Sequence, residues 1–272
     1  MIALHIAGRE LRSYFATTMG WLVMAVLLLL SGLLWVMIVG DYIKAGVEVA
    51  ANPYSYEQMN ISDWVLAPYF GAMAFILLMI APALSMRSFS DELKSKSIEL
   101  LLTSPIGTAD IVIGKFLGAL GFIAVSLALT AYVPLSLWAW GTPDWGVLAT
   151  GYGVLLCTSG AVISLGMLAS SFTEHQVVSL AIGVGGSLAA WLVQGFGVPA
   201  DMAVGKLVTS IGSAVGAELP KPSEVFEALS IGAHMESMTR GSVWTSDLVF
   251  FASFIGFFLF ATAVRVDSYR WR

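Results

Sequence analysis

Three groupings of reactive side chains invite a chemical reading, and each fails on spacing. A phosphate-binding loop needs glycine-wrapped backbone amides, a lysine and a following hydroxyl, in the order G-x-x-x-x-G-K-[ST]. The nearest string, Gly107 to Lys115, is wrongly spaced and has Phe116 where the hydroxyl belongs. ATP-driven work by this chain would therefore need another subunit. His234, Met235, Glu236 and Met238 offer one imidazole and two soft sulfurs close in sequence, a poor basis for copper or zinc. Ser126, Ser159 and Ser164 lie in apolar runs without a basic partner in the same layer, so no activated nucleophile is expected.

A fourth stretch has the chemistry of recognition. Arg87 to Lys115, RSFSDELKSKSIELLLTSPIGTADIVIGK, holds four of the thirteen basic and four of the eighteen acidic residues. Ser88 or Ser90 can cap a helix start, with Asp91 and Glu92 in its first turn. Ile98, Leu101 and Leu102 then recur at helical spacing beside Lys94, Lys96 and Glu99, which predicts one apolar ridge. Pro105 and Gly107 force a turn, and Thr108 can cap a second helix running through Asp110 and Lys115. Such a ridge either lies on lipid headgroups or docks a protein, and the residues alone leave both open.

The elements that must position this stretch follow from composition. With 58% hydrophobic residues, 11% charged and a mean hydropathy of +0.84, the chain is not a soluble globular domain. Charge-free runs occupy 13–40, 64–86, 116–143, 145–173, 176–200 and 248–264. Crossing hydrocarbon takes about 20 apolar residues. Five runs suffice outright, and the sixth is completed by snorkelling arginines and flanking Val243 and Trp244. The expected fold is an all-α polytopic membrane protein with six spans, near 20–40, 64–86, 116–137, 147–170, 177–195 and 246–264. No carboxylate, His, Lys or Arg is expected inside a span, which argues against a proton- or sodium-coupled carrier and against a charge-lined pore. With an inside N-terminus, the inner segments carry nine basic residues and the outer ones four, so both termini are expected in the cytoplasm.

Several connecting segments carry expectations of their own. Residues 2–15 read as an interfacial helix rather than a cleaved signal, with Leu4, Ala7, Leu11, Tyr14 and Phe15 on one face and His5, Arg9, Glu10 and Arg12 on the other. An outer loop is expected over 41–63, and Pro82 is expected to kink the second span. Gly114, Gly118 and Gly121 form a small-residue stripe suited to close packing within the subunit or to a dimer. Phe172 to Gln176 is a tight inner turn in which His175 reads as a polar loop residue. Ser223 to Thr239 is expected to be one outer helix capped by Ser223, with Phe226, Leu229 and Ala233 on one face. The single Cys157 forbids an internal disulfide.

Arg87, the run Ser97-Ile98-Glu99-Leu100-Leu101-Leu102-Thr103-Ser104-Pro105, and Ile111-Val112-Ile113-Gly114-Lys115 together resemble the signature of type-2 ATP-binding-cassette permeases. In that family a basic residue leaves the second span, a T-x-E-x-L-L-x-x-P run forms the coupling helix, and G-K opens the third span. Lys96-Ser97 stands where the family usually has Gly-Thr, so the glycine turn is expected to be lost and the helix to start earlier. Residues 8–15 and the spacing of spans are similar to the family over the whole chain. Within it the sequence most resembles the GldF-like permeases of gliding-motility systems, chiefly through His234 to Gly241.

The resemblance implies the membrane subunit of an exporter in a bacterial inner membrane, with no catalysis of its own. It implies two copies of a cytoplasmic ATPase, which bind the ATP and Mg; no cofactor is expected on this chain. Contacts with that ATPase would involve Asp91, Glu92, Ile98, Glu99, Leu101, Leu102, Thr103, Ser104 and Pro105, with a second contact at Thr173, Glu174 and His175. Residues 2–15, carrying Arg9 and Arg12, would be the elbow helix on the inner leaflet, a role whose geometry a plain anchor shares. The outer helix, with Phe226, Leu229, His234 and Glu236, would cap an exit or meet a periplasmic partner. A six-span chain is half a pathway, so a second permease is implied, either another copy or a GldG-like protein with a periplasmic domain. Lipid is a partner and nucleic acid is not. The rival readings are an energy-independent scaffold and a lipid-modifying enzyme, the latter lacking any acid–base pair.

Overall fold

A computed structural model describes residues 2–51, 60–97, 107–139, 144–202 and 221–271, with Ala139, Arg270 and Trp271 as main chain only. Among the described residues all regular structure is helical. A first helix, α1 (Ile2–Ala16), leads directly into α2 (Thr18–Ala51). One π turn, Ser62–Leu66, opens α3 (Ala67–Ser85), and α4 (Arg87–Lys94) follows it with only Met86 between. The remaining long helices are α5 (Thr108–Thr130), α6 (Trp145–Ser170), α7 (Gln176–Leu192) and α10 (Thr245–Asp267), with α8 (Pro222–Leu229) and α9 (Ile231–Thr239) between the last two.

Among the described residues six helices are long and apolar enough to cross a membrane, and they overlie the six charge-free runs. Their burial divides them. The hydrophobic windows of the spans built on α3, α5 and α6 are at least half buried, whereas those of α2, α7 and α10 are less than a quarter buried. The first three form the core, and the others turn apolar faces outward, as lipid-facing helices do. Tyr69, Phe70, Leu77, Phe122, Ile123, Val154 and Ile163 fill the centre. Gly151 and Gly166, near the two ends of α6, are where a Cβ would collide with Phe70 and Ser85 of α3. Their absence of side chains lets the two helices touch over most of their length. One hydroxyl pair bridges two spans: Ser31 Oγ lies 2.7 Å from Tyr69 Oη.

Four expectations about element ends need correction. Residues 41–51 are helix rather than loop. Hydropathy stops at Asp41, but helix propensity does not, and Lys44 pairs with Asp41 at 3.1 Å one turn away. At about 1.5 Å per residue, α2 is about 51 Å long and overreaches the bilayer core. Neither Ser88 nor Ser90 is a cap, because α3 runs through helical Met86 into α4; both are buried, and Ser90 Oγ donates to the Ser170 carbonyl at 3.3 Å. Asp91 and Glu92 accordingly lie beyond the first turn of α4. At the start of α5 the cap position is Gly107, and Thr108 makes no capping bond.

The fourth correction concerns the outer helix, which is two helices. The chain breaks at Ser230, which has extended φ and ψ, and whose Oγ accepts from the Gly232 and Ala233 amides at 3.1 and 3.4 Å. A hydroxyl one residue before Ile231 caps a new helix more cheaply than it continues the old one. Ser223 is not the cap of α8; that position belongs to Lys221.

Candidate functional site

At one end of the bundle α1, α4, the start of α5, the α6–α7 turn and the end of α10 converge, and the convergence is built on a buried lysine. Lys115 sits in the second turn of α5 and is 6% exposed. Its Nζ lies 2.8 Å from Glu92 Oε1 of α4 and 3.5 Å from Glu10 Oε1 of α1, and it donates to the Ser88 carbonyl at 2.8 Å. The ammonium also lies 5.3 Å from the Phe89 ring centre. An ammonium this dry is stable only with counter-charge and hydrogen bonds around it. Helices α1 and α4 supply them, so one side chain joins both to α5. The second carboxylate oxygen of Glu92 is buried and has no partner among the described residues.

The seat for α1 is the glycine stripe of α5. A Cβ at Gly114 would stand 2.7 Å from Ile6 Cβ, and one at Gly118 would stand 2.6 Å from Glu10 Cβ. The stripe therefore packs within the subunit, and its partner is α1 rather than another span. Glu10, expected on the exposed polar face, is drawn inward by Lys115. Tyr14 donates to the Leu84 carbonyl at 3.2 Å. Burial, reinforced by the charge of Glu10, pushes its phenol up to about 12, so the donor stays protonated. A polar cavity of about 170 Å³ between α1 and α4 is lined by Glu10, Tyr14, Arg87 and Lys115 among others.

Asp91 faces the other way. One carboxylate oxygen lies 3.4 Å from Arg87 Nε, and the other accepts from the Gln176 side-chain amide at the head of α7. The α6–α7 turn is thus tied to α4, and α10 holds it from the opposite side. Tyr269 Oη donates to the Ser171 carbonyl at 3.0 Å, and the Arg265 guanidinium lies 5.0 Å from the Phe172 ring centre. Within the turn, the His175 amide donates to Thr173 Oγ1 at 3.1 Å; Glu174 and His175 are exposed. Asp91, one residue of the first expected contact, is therefore brought beside the turn that carries the second.

Beyond Lys94 the chain reverses through Lys96, whose φ is +55°. The lysine adopts the left-handed conformation that a glycine takes more readily, so the turn is kept although the glycine is not. Lys94 ends α4, and Lys96 lies past it, so the two do not continue one helix into the ridge. Ile98, Glu99, Leu101, Leu102, Thr103, Ser104 and Pro105 lie outside the described residues. Arg9 and Arg12 are exposed on α1, with Arg9 3.6 Å from Glu10.

At the far end, Leu229 is exposed and Phe226 half-buried on α8, and Glu236 pairs with Arg240 at 2.8 Å on the surface of α9. His234 instead points inward, toward Asp247. Among the described residues no group of three or more His, Cys, Asp or Glu side chains could hold a metal ion. Sequence reasoning missed Glu10, Ser90, Gln176 and Tyr269 as connectors. Lys115 carried a signal of its own, since a lysine heading an apolar run needs a counter-ion somewhere.

What the contacts around Lys115 can do is hold several helix ends as one body. A family model described as ABC-2 family transporter protein matches residues 4–264. No curated protein matches the sequence. The match spans nearly the whole chain and agrees with the six apolar helices: the protein belongs to the ABC-2 transporter family, as a multi-pass membrane permease of an ATP-binding-cassette transporter and not its catalytic component.

Proposed function

We propose that the Lys115 end faces the cytoplasm of a bacterial cell, and that residues 97–106 dock a separate ATPase that binds the ATP and Mg. In this reading Ile98, Leu101 and Leu102 are the buried anchors and Glu99 a polar one. Thr173, Glu174 and His175 are a second contact, and Asp91 and Glu92 act from behind by fixing α4. Two ATPases closing on ATP would push two such ends together and rock paired six-span halves between inward and outward states. The second half is another copy or a related permease of the GldF and GldG kind. The work is export or force on a periplasmic partner.

The observation that supports this reading is the junction at Lys115. Both chain segments flanking 97–106 are fastened to α1 and to each other by one buried ammonium. A push on a segment held this way is transmitted to the bundle, whereas a loop resting on lipid needs no such fastening. The test is Leu101→Asp with Leu102→Asp in the complex purified from its native host. The co-purifying ATPase should be lost, and stimulation of its turnover with it. Retention of both would show the docking segment to be misassigned.

A further inference from the structure

At the far end, His234, Ser237 and Asp247 form a polar knot that transport by rocking does not require. His234 Nδ1 lies 2.7 Å from Asp247 Oδ1 of α10, and Nε2 lies 3.4 Å from the Ala228 carbonyl oxygen in α8. Ser237 Oγ donates to the other Asp247 oxygen at 2.7 Å. The imidazole stacks on Phe250, with ring centres 4.2 Å apart and planes 20° apart. Asp247 is 4% exposed. One ring therefore touches three helices.

Both neighbours of that ring are acceptors. A neutral imidazole owns a single N–H and can serve only one of them, while an imidazolium serves both. Its charge also offsets a buried carboxylate and rests on an aromatic face. On α9 itself Glu236 and Arg240 pair with each other, and on α8 Glu224 and Glu227 are exposed. Among the described residues, no ionisable side chain of α3, α6 or α7, the spans packed against α9, bonds to the ring. Asp247 is the counter-ion that α10 presents.

We propose that His234 is a proton-operated latch on the far face of the permease. Protonated, it ties α8 and α9 to the head of α10. Neutral, it keeps the bond to Asp247 and releases α8. Imidazole suits the task because it ordinarily titrates between about pH 5 and 8. Which compartment supplies the proton rests on the orientation proposed above; the ring chemistry does not.

The test uses the full chain in lipid nanodiscs, with ¹⁵N-labelled histidine and His234→Gln to assign its signal against His5 and His175. On the acid side both ring nitrogens of His234 should carry protons, and on the alkaline side Nε2 should lose its own. Across the same step, deuterium uptake in 222–229, corrected for intrinsic exchange, should rise roughly fivefold, the effect of one hydrogen bond. Ser237→Ala should keep that step and His234→Gln should abolish it. A ring with unprotonated Nε2 throughout, or a step that survives in His234→Gln, would overturn the proposal. Should the Gln variant fail to fold, the wild-type ring signals decide alone. Neither readout involves an ATPase, so failure here leaves the docking assignment untouched.

Discussion

The two ends of the permease are stitched in different ways. At the Lys115 end, beside the shorter-range ties of Lys115 to Ser88 and Glu92, polar contacts join elements far apart in sequence: Lys115 to Glu10, Ser90 to Ser170, Asp91 to Gln176, and Ser171 to Tyr269. At the far end they join near neighbours: Ser230 to Trp191, Ser223 to Asp201, and His234 and Ser237 to Asp247. Long-range stitching makes separate helix ends move together, which is what a force-receiving surface needs. Local stitching closes a subassembly on itself and leaves it able to shift against the core. The same bundle thus carries a plate at one end and a cover at the other.

The comparison breaks most readily at Lys115. Lys115→Met leaves Glu92 and Glu10 buried without their counter-charge, a loss of about 3–5 kcal/mol, and should lower the thermal midpoint in detergent far more than any single change at the far end. Next in size, Gly118→Val forces α1 off its seat. Overpacking costs about 1–3 kcal/mol, and proteolysis within 2–16 should accelerate while the spans stay protected. Ser230→Ala removes the α9 cap, worth about 1 kcal/mol, with exchange rising in 231–239 and nowhere at the Lys115 end. Smallest is Gln176→Ala, about 0.5–1.5 kcal/mol, visible as faster exchange in both α4 and the α6–α7 turn. If the last effect stayed within the turn, the plate would not be one body.

The spans were legible in the sequence because their cause is compositional: six charge-free runs leave no other economical structure. The stripe of Gly114 and Gly118 was equally legible as a seat, but its occupant was not, since α1 packs there by tertiary fit and carries no matching motif. Element ends failed where a local signal met a competing one. Asp41 ended the apolar run but not the helix, and Ser88 looked like a cap while the preceding span simply continued. Lys96 shows the reverse: the residue type argued against a left-handed turn that the chain makes anyway. Lys115 and Glu10 were visible as charges, yet their pairing spans 105 residues, and no periodicity encodes that.

Docking and transmission separate most directly in one double variant. Lys115→Met with Glu92→Leu replaces the buried pair by apolar groups of similar size, a change that is often neutral for stability. In the reconstituted complex, the ATPase should stay bound while its stimulation by the permease is lost, because a push on the docking segment no longer reaches α1 and no longer moves α4 and α5 as one body. Full stimulation in a folded double variant would contradict the claim that force enters the bundle through Lys115.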